Sequence, residues 1–303
     1  MRSYTFLVNP RSGGGAAPEA VVPASRLLRD AGAEVEVTYS PGPKATVALV
    51  AAAVDRGDVV VSVGGDGMLS SLAGEVSARG GVLGLLPAGR GNDFARMVGI
   101  SRDDTEGAVR VLLEAEPRKV DLLRYTGPGG TSRVVAGSVY GGVDAVAAEI
   151  VDRSRFVPKS LQYPLAAVRA LAAYRPAEVE VVVDGAAQTF RAATVVAANS
   201  AYYGKGMKIA PGAVLDDGLI DVVVIEAASK LGLIRSMPKV YDGEHVALPE
   251  VTVLRGREVT LRGATARGPI PVGGDGEPLG VLPRRGDDPA TVTLLPGALN
   301  LLG

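Results

Sequence analysis

The chain has 303 residues, 47% hydrophobic and 21% charged, with a formal net charge of −1; this suits one large or two ordinary globular domains and lacks the clustered basic excess that nucleic-acid binding needs. Cysteine is absent and His245 is the single histidine, which excludes disulfides, thiolate nucleophiles, cysteine-based zinc sites and histidine clusters, so any metal must be held by oxygen. The apolar run in "MRSYTFLVNPRSGG" is too short for a signal peptide and no stretch reaches the roughly 18 apolar residues of a membrane span, so a cytoplasmic protein that meets membranes only transiently is expected.

The first third alternates strand and helix. Tyr4 to Val8 reads as a buried strand, followed by a glycine-rich loop and an apolar-periodic helix over Glu19 to Arg29 that stops at Gly32. "AEVEVTYS" alternates as a strand, "KATVALVAAAVDRG" forms a helix, and "DVVVSV" is a continuous apolar strand buried on both faces. Met68, Leu69, Leu72, Ala73 and Val76 then mark a helix face ahead of the strand "VLGLL". This order predicts a parallel sheet covered by helices, with ligands bound beyond the carboxyl ends of the strands.

After about Leu122 the texture changes to short alternating segments separated by turns, among them "RVVAGSVYGG", "AEVEVVVDG", "QTFRAATVVAANS", "GLIDVVVIEA" and "EVTVLRGREVTLRG". An antiparallel β-rich domain over 123–290 is expected, interrupted by helices near 160–174 and 229–240. An α/β domain over 1–122 precedes it, and the final segment, 291–303, can join either. The amphipathic stretch "PKSLQYPLAAVRALAAYRP" at 158–176 either packs on its own sheet or lies against a membrane.

Three glycine-rich loops follow strands and open helices: "VNPRSGGG" at 8–15, "VGGDGMLSS" at 63–71 and "LPAGRGNDFARM" at 86–97. Backbone N–H groups and helix N-termini converge in such places, which suits phosphate. With Asp66 in the second loop and Asp93 in the third, the set suits a polyphosphate with Mg²⁺, although Asn92 or Asp93 also reads as a plain helix cap. "GGDG" returns at 273–276, now between strands and followed by Glu277 and Pro278, so there it presents carboxylates or only makes an Asp-Gly turn. Asp275 is the expected base for a phosphoryl acceptor hydroxyl. Asp217-Gly218 reads as a type I′ hairpin turn. His245, in "YDGEHVALPEV", has no partners for a triad and reads as structural.

In this order, and spread over most of the chain, "NPRSG", "GGDGM", "PAGRGNDFAR", "APGAVLDDGLID" and "GGDGE" resemble the diacylglycerol kinase catalytic-domain family, lipid kinases that include sphingosine and ceramide kinases. The resemblance implies an α/β nucleotide domain distantly similar to those of NAD kinases and phosphofructokinases, a C-terminal β-sandwich-like domain, and ATP in the cleft between them. It places nucleotide contacts on Asn9, Pro10, Arg11, Ser12 and Gly13, on Thr38, on Gly64, Gly65, Asp66, Gly67, Met68, Leu69 and Ser70, and on the loop of Arg90 and Asn92. Arg90 stands where the family commonly has Thr or Ser, and can fork onto a phosphate instead. The network for catalytic Mg²⁺ falls on Asp66, Asp93 and Asp121, and the acid-base pair on Asp275 and Glu277. A second, structural metal falls on the Asp217 side chain with carbonyls near Val214 and Leu219.

The expected activity is ATP-dependent phosphorylation of a lipid hydroxyl at a membrane surface, diacylglycerol to phosphatidic acid first among the acceptors. A sphingoid or ceramide kinase, an NAD kinase, and a non-catalytic nucleotide or lipid sensor stand as alternatives. Against the NAD kinase, the Asn-Glu pair that holds the dinucleotide ribose is not found; against the sensor stands the intact set of Asp66, Asp93 and Asp275. The oligomeric state is left open, a homo-oligomer included.

Overall fold

The computed structural model describes residues 2–40, 42–142, 145, 176–263 and 269–303. The expected helix near 160–174, and almost all of the amphipathic stretch containing it, lie outside these residues.

Four strands, β1 (Ser3–Val8), β2 (Glu34–Tyr39), β3 (Val59–Gly64) and β4 (Val82–Pro87), pair in parallel in the order β4-β3-β1-β2. The valine run of β3 is buried at every position, as the centre of a covered parallel sheet requires, whereas β2 at the edge alternates between exposed and half-buried residues. Helix α1 (Ala16–Asp30) packs with α5 (Thr105–Glu114), and α2 (Pro43–Asp55) packs with α3 (Asp66–Ala78), which covers the sheet. A short helix, α4 (Asp93–Met97), follows the loop after β4.

The remaining strands pair antiparallel. They are β5 (Arg118–Thr126), β6 (Ser132–Val135), β7 (Ser138–Gly142), β8 (Ala177–Val183), β9 (Ala186–Ala198), β10 (Ile220–Glu226), β11 (Val251–Gly256), β12 (Glu258–Gly263), β13 (Pro271–Gly274), β14 (Glu277–Val281) and β15 (Ala290–Leu301). Their order is β14-β13-β7-β9-β8-β12-β15, with β10 joining β9 to β11 and β5 joining β15 to β6. The β8-β9 and β13-β14 hairpins turn on Asp184-Gly185 and Asp275-Gly276, each pair with φ of 46° and 85°. Positive φ at both central residues is the type I′ turn that Asp-Gly favours. The Asp217-Gly218 pair differs. Gly218 alone has positive φ, at 73°, and the pair lies outside any hairpin, so the type I′ expectation there is corrected.

Two strands tie the two halves together. In β5, Val120 and Leu122 belong to the core of the parallel sheet, with Phe6, Leu72 and Leu83, while Leu123 and Tyr125 belong to the antiparallel core, with Val181, Ile220 and Leu261. β15 runs the opposite way, from Val292 and Leu294 in the second core to Leu299 and Leu301 in the first. It ends by pairing in parallel with β4 at Asn300 and Leu301, so the last segment joins the parallel and antiparallel strands into one continuous sheet.

Candidate active site

The three glycine-rich loops meet at the carboxyl ends of β1, β3 and β4. Gly13, Gly14 and Gly15 take φ of 62°, 77° and 102°, a left-handed run that admits only glycine in practice. The Asn9 side chain accepts the Arg11 N–H at 3.1 Å, and Ser12 Oγ lies 3.2 Å from where a Cβ on Gly64 would sit. Gly65 and Gly89 approach backbone to backbone, so a Cβ on either would press on the other. Ala88 N–H donates to Gly64 O at 2.9 Å and fixes that approach. Pro10 and Arg11 are exposed at the rim.

Asn92 shapes its loop. At φ 56°, its Oδ1 accepts Gly89 N–H at 2.8 Å and its Nδ2 donates to Gly89 O at 3.0 Å, which spends the amide. Neither Asn92 nor Asp93 caps α4 with its side chain. That place goes to Asp66, whose Oδ1 accepts the Phe94 N–H at 3.0 Å from another loop. Its other oxygen and Asp93 Oδ2 lie 3.1 and 3.3 Å from the place of a Gly91 Cβ, so two carboxylates converge on that glycine. Asp93 is buried, and its oxygens accept the N–H groups of Lys205 (2.8 Å) and Gly206 (2.6 Å). Burial, then the Asp66 charge, pushes its carboxyl above the usual range.

The second half of the chain reaches this place through the Asp275-Gly276 turn. One Asp275 oxygen accepts from the Ser70 hydroxyl, from Ala136 N–H (3.0 Å) and from Gly137 N–H (2.9 Å); the other accepts Ser138 N–H (2.9 Å). Burial pushes the carboxyl up to about 6 against these donors, with Asp66 adding to the rise. Glu277 Oε1 lies 2.8 Å from where a Gly67 Cβ would be, so the exposed Glu277 side chain lies over the first turn of α3.

Other expected residues fall elsewhere. Leu69 is buried in the first core beside Gly64, Gly65 and Asp66, and its N–H donates to Gly65 O at 3.1 Å, which engages that donor at the start of α3. Met68 packs over Gly64 with its sulfur 3.0 Å from the Cβ position. Thr38 stands on the edge strand with its hydroxyl turned to Glu36 at 3.4 Å.

Asp121 is not gathered with Asp66 and Asp93. It is buried where β5 and β15 cross between the cores, its Oδ1 accepting Gly297 N–H (2.6 Å) and its Oδ2 Gly218 N–H (2.9 Å). It braces the bulge of β15 and the "LDDG" loop. Asp217 is likewise engaged by the chain itself: Oδ1 accepts Leu219 N–H at 3.0 Å, and Oδ2 pairs with the Arg255 guanidinium, which also bridges Asp221. Here, where the resemblance puts a structural metal with carbonyls near Val214 and Leu219, the Arg255 guanidinium balances the charge of Asp217 and Asp221. Among the described residues, no group of three acidic or histidine side chains is spaced for a metal.

One site residue carries a signal that the sequence reading passed over. Lys205, at φ 72° between Gly204 and Gly206, stands over Asp93, and burial and the nearby Arg90 push its ammonium below the usual range. Two mutually repelling cations beside glycine-rich loops suit a polyanion. A lysine framed by glycines in "YYGKGMK" is the clue. The same loop is held by Arg96, stacked over Tyr202 at 5.9 Å, and by Tyr203, edge-on to Tyr140 at 5.6 Å.

Glycine-rich loops at the ends of parallel strands, faced by a carboxylate turn from the antiparallel half, are an arrangement that suits phosphoryl transfer. Residues 3–125 match the model of the diacylglycerol kinase catalytic domain, and residues 137–303 match that of the YegS C-terminal NAD kinase beta sandwich-like domain. A diacylglycerol kinase of Mycobacterium tuberculosis (strain CDC 1551 / Oshkosh) is 31% identical over 257 residues, covering 84% of this chain and 83% of that protein. A probable YegS-like lipid kinase of Stenotrophomonas maltophilia (strain K279a) is 31% identical over 259 residues, 81% of this chain and 80% of its own length. The fold matches the crystal structure of a putative diacylglycerol kinase from Bacillus anthracis with a TM-score of 0.73 at 16% identity, over 99% of this chain and 94% of that one. The chain belongs to the diacylglycerol kinase family and is a lipid kinase.

Proposed function

We propose that the chain transfers the γ-phosphate of ATP to the hydroxyl of diacylglycerol, giving phosphatidic acid. The observation that carries this reading is the meeting of Asp275 with Ser70: a carboxylate near an ionisation of 6, set by one half of the chain against the phosphate cradle of the other. In this reading the cradle of Ser12, Gly64, Gly65 and Gly89 receives the β- and γ-phosphates, and Arg90 and Lys205 balance their charge. Asp275 takes the proton of the acceptor hydroxyl as the new P–O bond forms and the bond to the β-phosphate oxygen breaks. To do so it exchanges the Ser70 hydroxyl for that of the lipid, and Ser70 is then free to donate to phosphate. Glu277, exposed beside Gly67, stands next to that exchange as the second acid-base group.

The donor set of Asp66 and Asp93 fits a divalent cation, since two converging carboxylate oxygens, one on a buried group, repel each other until a positive charge joins them. Bound there, Mg²⁺ would neutralise phosphate charge in the transition state. We assign Asp121 and Asp217 to bracing roles. We also propose the division into an α/β nucleotide domain over 1–122 and a β-rich lipid domain over 123–290, with 291–303 serving both. The protein works at a membrane surface in contact with the cytoplasm.

The test is transfer of labelled γ-phosphate to a panel of diacylglycerol, sphingosine, ceramide, phosphatidylglycerol and NAD. Label in phosphatidic acid supports the reading; label confined to another acceptor replaces it.

A further inference from the structure

The helix Lys230–Asp242 is weakly packed: of its 13 residues only Val240 is buried. It is nonetheless well terminated, with Ser229 Oγ accepting Gly232 N–H at 3.0 Å and Gly243 closing the other end at φ 79°. Leu231, Ile234, Met237 and Tyr241 are 55%, 49%, 38% and 50% exposed. Their spacing puts all four on one stripe of the helix. Arg235 and Lys239, one turn apart and exposed, flank it, Lys230 stands at its start, and the first acidic residue is Asp242 at the far end. Four large apolar side chains held in water beside a basic flank need a partner that is apolar in depth and anionic at its surface.

The helix is tied to the active site by a short segment. Lys208 N–H donates to Val240 O at 2.9 Å, and Pro211 packs on Gly243. A few residues before Lys208, the N–H groups of Lys205 and Gly206 hold Asp93. What the helix rests on is therefore coupled in position to the cleft.

We propose that this helix is an interfacial anchor that lies in the headgroup layer of an anionic bilayer, with Leu231, Ile234, Met237 and Tyr241 toward the acyl chains and Arg235 and Lys239 on lipid phosphates. The inference rests on the lipid-kinase reading only for its choice of partner. A second copy of the chain is the poorer occupant, because packing this stripe on itself about a two-fold axis sets Arg235 and Lys239 against their own counterparts. A bilayer offers the opposite charge.

The experiment is co-sedimentation of the full chain, without ATP, on vesicles of phosphatidylcholine alone or mixed equally with phosphatidylglycerol. Ile234→Asp with Met237→Asp, both at exposed positions, should keep the thermal midpoint and the activity on a short-chain, water-dispersed diacylglycerol, and lower partitioning onto mixed vesicles at least tenfold. Arg235→Glu with Lys239→Glu should remove the preference for the anionic mixture, each basic residue accounting for about fivefold. Wild-type partitioning by either double variant overturns the proposal. So does a wild-type dimer that the apolar variant dissociates while vesicle binding stays the same. Vesicle binding that depends on the helix in a protein that phosphorylates no lipid would leave the anchor standing and remove the proposed function.

Discussion

The hydroxyl of Ser70, one turn into the helix after the glycine-rich loop of β3, donates to the carboxylate of Asp275, 205 positions further along the chain. Ser70 stands in the parallel-sheet half and Asp275 at a hairpin of the antiparallel half, so this hydrogen bond joins the glycine-rich loop of β3 to the Asp275-Gly276 turn.

Activity should therefore depend on an ionisation near 6. Asp275 accepts a proton only when charged, so kcat/KM for the lipid at saturating ATP should rise with pH through about 6 and level off above it. The Ser70 hydrogen bond favours the charged form, so Ser70→Ala should move that limb to higher pH. The linked stability has the opposite sign. Because the folded-state value is raised, the contribution of Asp275 is full below its unfolded value and is lost as pH rises through about 6. A pH-independent kcat/KM between 5 and 8 would contradict the assignment.

The Gly65–Gly89 approach leaves no room for a side chain. Gly89→Ala should push the loops apart and weaken ATP binding by at least tenfold in calorimetric titration, in a chain that still unfolds cooperatively. Gly80→Ala makes a good control. Its Cβ meets nothing within 4 Å at φ 66°, so it should cost only about 1 kcal/mol of backbone strain and leave ATP affinity unchanged.

Asp66 and Asp121 should fail in different ways. Asp66→Asn should raise the Mg²⁺ concentration for half-maximal rate with a small change in stability. Asp121→Ala leaves the half-buried N–H groups of Gly218 and Gly297 without their acceptor, and should cost about 2 kcal/mol in denaturant unfolding with an unchanged Mg²⁺ requirement in the folded fraction.

Removing Arg255 leaves the buried Asp221 without its counter-charge. Arg255→Met should destabilise the chain by about 2 kcal/mol at neutral pH, less than for a fully buried pair because Arg255 is partly exposed, and the loss should shrink as pH falls and Asp221 takes up a proton. The wild-type thermal midpoint in the absence of nucleotide should not respond to Mg²⁺ through this site.

The parallel half of the fold was legible because its signals are local. A valine run bounded by glycines, as at Val59 to Gly64, admits one reading, and three such strands each hand over to a glycine-rich loop. The direction of β15 was not legible, because its apolar residues suit either core; the break at Pro296-Gly297, where Asp121 takes the Gly297 N–H, lets one strand serve both. In the candidate site, Asp66, Asp93 and Asp275 share a sequence signature, an acid in or just after a glycine-rich loop, with Ser70 one turn further along α3, and the chain brings them together. Asp121 and Asp217 carry carboxylates in similar company, yet their partners are backbone N–H groups and Arg255, contacts that only the tertiary pairing of distant loops creates. Lys205 was missed for the same reason, since Asp93 reaches it from 112 positions away.

The central claim is that Asp275 accepts the proton of the lipid hydroxyl opposite the phosphate cradle. Its most direct measurement is kcat for labelled phosphate transfer to diacylglycerol in mixed micelles, for wild type and Asp275→Asn, with ATP affinity measured on the same samples. Asp275→Asn should lower kcat by about 10²–10⁴-fold with ATP affinity retained. Turnover close to wild type in a folded Asp275→Asn protein would contradict the claim and reduce Asp275-Gly276 to a hairpin turn.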